Sequence, residues 1–449
     1  MTAVYYTLGV VIFFVAILTS IGLHELGHMI PAKRFGGKVT QYFIGFGPTV
    51  WSKRVGETEY GVKAIPLGGY VKIVGMLPPG ADQLADEHTT DADGNDVVRV
   101  RKSNTGMFTQ LISDARAAEW ETIRPEDSER LFYKMPWWKK VVVMSGGPSV
   151  NILIAFGLFL VVFASFGNPS DLRISPVVST VEACVVPAAQ DGRVCRPDDP
   201  VTPARKAGLE AGDRIVAFNG TRIERWTQLQ RLIRGNDNGR AAITVRRDGR
   251  ELTLTTNTLV TARPTSASDE RLVQVGFLGV APTYENVTGG PWYTLEQMGT
   301  MTKDSVAAMA TLPVKVWHVG RAIFGLEQRA LDSPVSIVGG GRLAGETVSH
   351  QGFPLVDKTV FLLMLIAGFN LFIGLFNFVP LLPLDGGHIA GALWEALRRG
   401  LARLRGRPDP GYVDVARLLP IAYTVALVLL VMGVVLIAGD LIVPLHIPS

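Results

Sequence analysis

The sequence predicts a multi-pass α-helical membrane protein with four transmembrane helices, a re-entrant β region in the membrane and one extracytoplasmic α+β domain. Four long stretches without a charged residue predict the helices, and glycine-punctuated, strand-like sequence after the first of them predicts the β region. A polar block between the second and third stretches is long enough for a separate domain. The small excess of 44 Lys and Arg over 40 Asp and Glu is dispersed, so it does not indicate a nucleic-acid partner.

The four uncharged stretches are long enough to cross a membrane. They comprise residues 1–23, 141–170, 359–384 and 418–439. Each exceeds the roughly 20 apolar residues that a helix needs to span a hydrocarbon core of about 30 Å. Buried helices of a soluble domain are the alternative, but such helices rarely lack charge for six turns. We expect transmembrane helices at residues 1–30, 136–168, 358–388 and 417–440.

Basic residues on the flanks of these stretches predict their orientation. They lie after the first stretch, before the second and between the third and the fourth: Lys33, Arg34, Lys38, Lys134, Lys139, Lys140, Arg398, Arg399, Arg403, Arg405, Arg407 and Arg417. Because Lys and Arg accumulate in short cytoplasmic loops, residues 31–135 and 389–416 are expected in the cytoplasm. Both chain termini and the block between the second and third helices are then extracytoplasmic, and the lipid bilayer surrounds the helices.

An H-E-x-x-H pattern, His24-Glu25-Leu26-Gly27-His28, stands at the cytoplasmic end of the first span. On a helix, His24 and His28 lie on the same face and can bind one Zn²⁺ per chain, while Glu25 stands beside them and can accept a proton from water. A single histidine near a helix end is more often structural. Ionisable groups within an uncharged spanning helix are costly, however, so their presence indicates a function.

A catalytic zinc site needs a third protein ligand and one open position for water. Asp385 is the candidate, because it is a lone carboxylate at the cytoplasmic end of the third span, at the membrane depth of the two histidines. Two prolines break the helix before it, and Gly386 and Gly387 would let the backbone turn the carboxylate inward. The alternative is that Asp385 only caps a following helix that begins near His388.

Together these motifs make the sequence resemble the site-two protease family of intramembrane zinc metalloproteases, of the bacterial regulator-of-sigma-E protease type. The resemblance rests on His24–His28 and on the N-x-x-P…L-D-G run from Asn377 to Gly386, which are highly specific as a pair. Three further runs are similar to the family and extend the resemblance over nearly the whole chain: Ile44–Gly47, Ile65–Tyr70 and Gly146–Asn151.

This resemblance implies both a site and an activity. It implies that His24, His28 and Asp385 are zinc ligands, that Glu25 is the catalytic base and that Asn377 holds the substrate backbone. Family members cleave the transmembrane helix of a single-pass substrate, often an anti-sigma factor already trimmed outside by another protease, in regulated intramembrane proteolysis. The chain is therefore expected to be a zinc metalloendopeptidase of the bacterial inner membrane.

After the first span, residues 31–75 change from a helical to a strand-like pattern with glycines between the strands. Gly45-Phe46-Gly47 predicts a re-entrant hairpin that lines a cavity at membrane level, where irregular backbone is tolerated. Its open edge could bind an unwound substrate segment as an added strand. A cytosolic surface hairpin is the alternative. Asn370, two turns before Asn377 on a similar face, is a weaker candidate for a substrate contact.

The extracytoplasmic block contains one stretch, residues 204–220, with the A-G-L-x-x-G-D-x-I-x-x-x-N-G form of bacterial PDZ domains. The elements that suit this fold, expected over residues 172–283, are a helix at 226–234 and strands at 243–246, 252–255 and 273–280. Any small β domain with glycine turns is the alternative. A PDZ groove binds extended peptide ends by β-augmentation, so we expect this domain to bind a peptide or to exclude bulky substrate ectodomains.

Two stretches remain outside these motifs. Residues 284–357 predict amphipathic helices on the outer membrane interface, with Trp292, Trp317 and Phe324 as interfacial side chains. Residues 76–135 are polar, partly acidic and rich in turn residues, and they predict a partly flexible cytoplasmic insert.

Cys184 and Cys195 are the two cysteines of the chain, and both fall in the block that is expected outside the membrane. Pro187 and Asp191-Gly192 between them predict a hairpin that brings the two ends together. Because an oxidising exterior favours the bond, we expect a disulfide. Two buried free thiols are the alternative.

Two other functions compete with an intramembrane protease. A membrane-anchored metalloprotease with a cytosolic zinc site would need a third ligand after His28, but Glu57 and Glu59 lie in strand-like sequence and are poor candidates. A non-enzymatic PDZ scaffold has no reason to keep His24 and Glu25 in a spanning helix. Both alternatives are therefore less favoured than the protease.

Overall fold

The computed structural model describes residues 2–78, 88–90, 96–98, 123, 125–187, 193–266 and 269–445. The chain forms two compact units, a helical unit (Met1–Val162 with Gly289–Ser449) and a β-rich unit (Phe163–Thr288). Most of the cytoplasmic insert predicted over residues 76–135 lies outside the described residues.

The described part of the chain contains helices of very different length. In chain order they are α1 (Thr2–Arg34), α2 (Trp137–Ser165), α3 (Pro203–Ala207), α4 (Trp226–Arg234), α5 (Pro291–Ile323), α6 (Ile337–Ser349), α7 (Leu355–Asn377), α8 (Asp385–Leu404) and α9 (Leu419–Ile442). Four segments are long and apolar enough to cross a membrane, namely α1, α2, α7 and Val415–Ile442. The prediction of four apolar helices of membrane length is thus confirmed.

The strands also differ widely in length. They are β1 (Val39–Val55), β2 (Thr58–Ile73), β3 (His88–Thr90), β4 (Asp96–Val98), β5 (Asn168–Val181), β6 (Arg214–Phe218), β7 (Thr221–Arg222), β8 (Arg240–Arg247), β9 (Arg250–Asn257), β10 (Leu259–Ser266), β11 (Asp269–Phe277) and β12 (Val280–Val287). The long strands β1 and β2 belong to the helical unit, and β5 to β12 form the β-rich unit.

The third spanning helix is shorter than predicted. The sequence suggests one span over residues 358–388, whereas α7 ends at Asn377 and Asp385 begins a separate helix, α8. Pro380 and Pro383 account for the difference, because proline cannot donate the backbone hydrogen bond that would continue the helix. The L-D-G motif, Leu384 to Gly386, therefore lies at the start of α8, after the break that separates it from α7.

Small residues let α1 pack closely against α6. Gly340 of α6 faces the Phe13 ring, so a side chain at this position would collide with it. Phe13, Ile17, Ala344 and Ile366 form a buried cluster that joins α1, α6 and α7. Trp292 of α5 is exposed, whereas the glycines of α6 are buried within the helical unit. The interfacial position of residues 284–357 stays a prediction.

Glycines also bring α2 against the H-E-x-x-H turn of α1. Gly27 of α1 and Gly146 of α2 lie so close that a Cβ on either one would collide with the backbone of the other. Close backbone contact of this kind is typical of small residues at helix crossings in membranes. As a result, the next residue of α2, Gly147, faces the two histidines of α1.

Strands β1 and β2 bend and fold back into one small sheet. The first half of β1 pairs with β2 on both sides, since Phe43 has Tyr70 as a partner on one side and Gly61 on the other. The second half of β1, from Thr49 to Val55, continues along the start of β2. The sheet therefore has two edges, the second half of β1 and the last residues of β2.

The β-rich unit is built on a sheet with strand order β12-β5-β6-β8-β9, and β7 pairs with β6. Its buried core includes Ile215, Phe218, Leu229, Ile243 and Val245. The helix predicted at residues 226–234 is α4, with the same limits. Its apolar residues recur at helical spacing, so that Leu229 packs against the sheet.

The closing strand of this unit was predicted at residues 273–280, and that prediction is wrong. Residues 269–277 form β11, which pairs with β10 in a separate hairpin, and β12 closes the main sheet by pairing with β5. Gly279 separates the two strands because it adopts a left-handed conformation with φ of 86°. The apolar run therefore supplies two strands of different sheets.

A buried ion pair fixes the turn before β6. The Arg247 guanidinium donates to both carboxylate oxygens of Asp213 at 2.7 Å, and the Asp213 side chain is fully buried. Burial by itself would raise the pKa of Asp213, but hydrogen bonds from Arg247 and from the Glu210 backbone N–H outweigh it and lower the pKa below its ordinary value. The charged pair thus supports the A-G-D turn on which the predicted PDZ motif depends.

Candidate metal centre

His24 and His28 lie one turn apart on α1 and point at Asp385, the first residue of α8. The two Nε2 atoms are 3.2 Å apart. Asp385 Oδ2 lies 3.4 Å from His24 Nε2 and 3.3 Å from His28 Nε2. Both histidines are buried and the aspartate is half-buried. Three side chains that can ligate a metal therefore meet at one point.

The outer nitrogens of the two imidazoles are bonded to α2. His24 Nδ1 lies 3.1 Å from Asn151 Oδ1, and His28 Nδ1 lies 2.8 Å from the carbonyl oxygen of Val143. Both partners are acceptors, so each Nδ1 carries the proton and donates it. Each Nε2 then presents its lone pair to the centre, which is the tautomer that a metal-binding histidine needs.

The connection between α7 and α8 holds Asp385 in place. Backbone at Phe378 and Val379 lies against Gly386, and the backbone N of Leu382 is 2.6 Å from where a Cβ of Gly387 would stand. Both glycines have ordinary helical backbone, so they serve close packing and not the inward turn that the sequence suggested. Since α8 begins at Asp385 itself, the alternative that it caps a helix starting near His388 is not borne out.

The donor set fits zinc. In a tetrahedral site with bonds of about 2.0–2.1 Å, ligand atoms lie about 3.3–3.4 Å apart, and the donor atoms here are separated by 3.2–3.4 Å. Two lone pairs and a carboxylate that converge without a cation would repel one another. Space for the ion is kept by Gly147, where a Cβ would stand 2.7 Å from His24 Nε2 and still closer to His28 Nε2.

Glu25 is half-buried beside this centre and interacts electrostatically with His24, His28 and Asp385. The last part of β2 covers it: a Cβ at Gly69 would lie 3.0 Å from Glu25 Cγ, and the Val71 backbone also approaches the carboxylate. One edge of the small sheet therefore lies next to the group that is expected to act as base.

The Gly45-Phe46-Gly47 run forms the bend of β1. Gly45 and Gly47 have φ angles of 92° and 82°, which a residue with a side chain adopts only with strain. A Cβ at Gly45 would also lie 2.8 Å from the carbonyl oxygen of Ile65. Phe46 is exposed on one side and stacks on Tyr70. The run thus shapes the sheet, and the last part of β2, at Gly69, lies against Glu25.

The two asparagines of α7 differ in their surroundings. Asn377 is half-buried at the end of α7, eight residues before Asp385. Asn370 is fully buried, and its Nδ2 donates to the carbonyl oxygen of Ile366 at 2.9 Å. In this structure the Asn370 side chain is therefore engaged within its own helix, and its contact with a substrate stays a prediction.

Sequence reasoning missed the part that α2 has in this centre. Asn151 and Gly147 belong to a run that the resemblance included, but neither was given a role. A signal was available for Asn151, because a polar amide within a charge-free spanning helix needs a partner. No local pattern indicates Val143, which acts through its backbone carbonyl.

The two cysteines form a disulfide in the β-rich unit, with Cα atoms 5.9 Å apart. Cys184 also forms a β-bridge with Val201, and Arg193 pairs with Asp199 on the same loop. The hairpin expected between the cysteines falls partly on residues 188–192, which lie outside the described residues.

The competing ligands for a cytosolic zinc site are engaged elsewhere. Arg130 donates to both oxygens of Glu57 at 2.8 Å, and this hydrogen bonding lowers the pKa of Glu57 below its ordinary value. Glu59 accepts a hydrogen bond from Ser52. Neither glutamate is part of the described metal-ligand cluster, which consists of His24, His28 and Asp385.

The fold and this centre define a membrane-embedded peptidase of the metal-dependent class. The model of peptidase family M50 matches residues 12–416, and the chain belongs to that family. Zinc metalloprotease Rip1 of Mycobacterium tuberculosis is 32% identical over 98% of both chains. Zinc metalloprotease RasP of Geobacillus kaustophilus is 26% identical over 87% of this chain and 90% of its own length.

A putative zinc metalloprotease of Brucella suis is also similar, with 29% identity over 87% of this chain and 86% of its own length. The family and the relatives confirm the predictions of a metalloprotease and of zinc as its cofactor. They agree with the sequence resemblance over nearly the full chain.

Proposed function

We propose that this chain is an intramembrane protease that binds zinc through His24, His28 and Asp385 and uses Glu25 as its base. The observation that carries the proposal is the convergence of two Nε2 atoms and one carboxylate oxygen at 3.2–3.4 Å, with both Nδ1 atoms bonded to acceptors. His24 and His28 lie on α1, and Asp385 follows α7 by eight residues; α1 and α7 are both apolar enough to span a membrane, so peptide hydrolysis would occur within the bilayer.

Zinc at this position would act as a Lewis acid toward the scissile carbonyl and the attacking water. Glu25 then takes a proton from that water as it attacks and returns it to the amine that leaves. His24 and His28 keep their orientation because α2 holds their outer nitrogens. Gly147 keeps the space beside the two Nε2 atoms free for the ion.

A transmembrane helix hides its carbonyls in its own hydrogen bonds, so the substrate must unwind before hydrolysis. The last part of β2, beside Glu25, pairs with β1 on one side, and among the described strands none pairs with its other side, so an unwound segment can add there as a further strand. In this proposal the bend at Gly45–Gly47 shapes the sheet for that purpose, and the amide of Asn377 holds the substrate backbone. The substrate is then a single-pass membrane protein.

The distribution of Lys and Arg supports an orientation with the H-E-x-x-H turn near the cytoplasm and the β-rich unit outside the bacterial inner membrane. In that position the β-rich unit, as a single PDZ domain, would bind the free end of a peptide or exclude large ectodomains. Substrates of the anti-sigma factor type, already cut outside, would suit both roles in regulated intramembrane proteolysis.

The experiment compares membrane fragments in cells that carry the wild-type chain or Glu25→Gln. The variant keeps every zinc ligand but lacks the proton acceptor, so a trimmed single-pass protein should accumulate. Purified wild type should contain about one zinc per chain and cleave the accumulated protein within its membrane segment. Asp385→Ala should retain the fold and lose metal. Full cleavage by Glu25→Gln would contradict the assignment of the base.

A further inference from the structure

A buried ion pair joins α2 to α8. Lys140 Nζ lies 2.7 Å from Glu395 Oε2, and the two side chains are 8% and 2% exposed. Arg399 Nη1 lies 3.3 Å from the other Glu395 oxygen, and Lys140 Nζ stands over the Tyr412 ring at 5.1 Å. The catalytic proposal uses none of these residues.

Stability does not account for this pair. Removing two charges from water is expensive, and replacing a buried ion pair by apolar residues of similar volume is often neutral or stabilising. A buried pair does have one property that apolar contacts lack, which is a defined geometry. It therefore sets how far one helix is shifted along the other.

The two helices that the pair joins are the ones that orient the metal ligands. Lys140 lies one turn before Val143, whose carbonyl accepts the proton of His28 Nδ1. On α8, Asp385, His388, Ala392 and Glu395 recur at spacings of three and four residues, so they lie on one face. Glu395, the α8 member of the pair, and the carboxylate ligand Asp385 thus lie on the same face of α8.

A metal site tolerates only small changes in metal–ligand distance, so the position of α8 along α2 affects zinc binding. A shift of α8 by one residue would move Asp385 by about 1.5 Å, whereas metal–ligand distances must hold within roughly ±0.2 Å. The packing of Gly386 and Gly387 fixes the first turn of α8. Glu395 lies ten residues, or about 15 Å, further along, so a bond there fixes the tilt and the shift of the whole helix.

We infer that Lys140 and Glu395 are positioning residues, which hold α8 in register with α2 so that the Asp385 carboxylate meets His24 and His28. The inference rests on the proposed zinc site. The pair acts through helix placement and does not touch the substrate.

The test uses the double variant K140M/E395M, in which both charges are replaced by flexible apolar side chains of similar length. Its zinc affinity is measured by competition with a chromophoric chelator, and its thermal unfolding is followed without metal. We expect unfolding close to that of the wild type but zinc affinity about ten- to a hundredfold weaker. The visible spectrum of the Co²⁺-loaded protein should change, and kcat should fall more than KM rises.

Two further variants keep the test decisive. K140M alone leaves the buried Glu395 carboxylate with Arg399 as its remaining charged partner and its Oε2 without the Lys140 ammonium, so it should lower the melting temperature as well as zinc affinity. The matched control R329M/D440M removes another buried pair of the helical unit, with side chains 4% and 2% exposed and a 2.7 Å contact, far along the chain from the ligands. It should leave zinc affinity unchanged.

Wild-type zinc affinity and an unchanged Co²⁺ spectrum in K140M/E395M would overturn the inference. An equal loss of affinity in the control pair would overturn it too, because the effect would then not be specific to α8. Failure of the proposed function looks different, since the wild-type chain itself would then bind no zinc.

Discussion

Replacing Asn151 by leucine should weaken zinc binding without removing a ligand. The Asn151 Oδ1 accepts the proton of His24 Nδ1 at 3.1 Å, and both residues are buried, with exposures of 1% and 9%. Leucine has a similar volume but no acceptor, so the imidazole would lose its fixed orientation and leave a buried N–H without a partner.

The size of the effect follows from that lost bond. A buried donor left unsatisfied costs about 1–3 kcal/mol, and loss of a partner behind a metal-binding histidine weakens affinity by about ten- to a hundredfold, or roughly 1.4–2.7 kcal/mol. The two figures agree. Asn151→Asp keeps an acceptor at the same position and should bind zinc at least as tightly as the wild type.

The assay is chelator competition on purified protein, with unfolding of the metal-free form measured in parallel. Asn370→Leu is the matched control, because Asn370 is also a buried amide in a spanning helix but bonds only within its own helix. It should leave zinc affinity unchanged. Affinity of Asn151→Leu within a factor of about two of the wild type would refute the proposed orientation of His24 by α2.

Four other outcomes follow from the structure. Gly147→Ala should abolish zinc binding, measured by metal content, because its methyl group would occupy the ion's position; stoichiometric zinc in this variant would contradict the site. The β-rich unit should lose stability as the pH falls below about 4, because the pKa of Asp213 is lowered in the folded state and its contribution is present only while it is ionised. Asp213→Asn should weaken this pH dependence in unfolding experiments, and an unchanged dependence would argue against the contribution of the Asp213–Arg247 pair. Reduction of the Cys184–Cys195 bridge should destabilise that unit by roughly 3 kcal/mol in the chain-entropy model, and alkylation of both thiols without a reductant would argue against the bridge. A substrate segment with Gly or Pro should be cleaved faster than a poly-Leu segment, because unwinding is easier, and equal rates would argue against strand addition.

The sequence alone predicted those features that depend on residues close together along the chain. Charge-free stretches predicted the spanning helices, and the four-residue spacing of His24 and His28 put both on one face of α1. The helix at residues 226–234 was predicted with its observed limits. In each case the signal is a local periodicity, which survives whatever the rest of the chain does.

The prediction of one strand at residues 273–280 failed because local periodicity does not show which strands pair. An apolar, alternating run from residue 273 to 280 reads as one strand, but the chain turns at a left-handed glycine and supplies two sheets. Alternation shows that a segment is extended, and it does not name the partner strand. Pairing is a matter of tertiary contacts.

The same limit applies to the metal centre. Two histidines were identified from their spacing and Asp385 from its membrane depth, but Asn151 lies 127 residues from His24, and Lys140 lies 255 residues from Glu395. Contacts of this kind depend on how each helix is rotated and shifted against the next. Packing of small residues such as Gly27 and Gly146 sets that rotation and shift, and no local pattern encodes it, because the same apolar helix can present any of its faces to a neighbour.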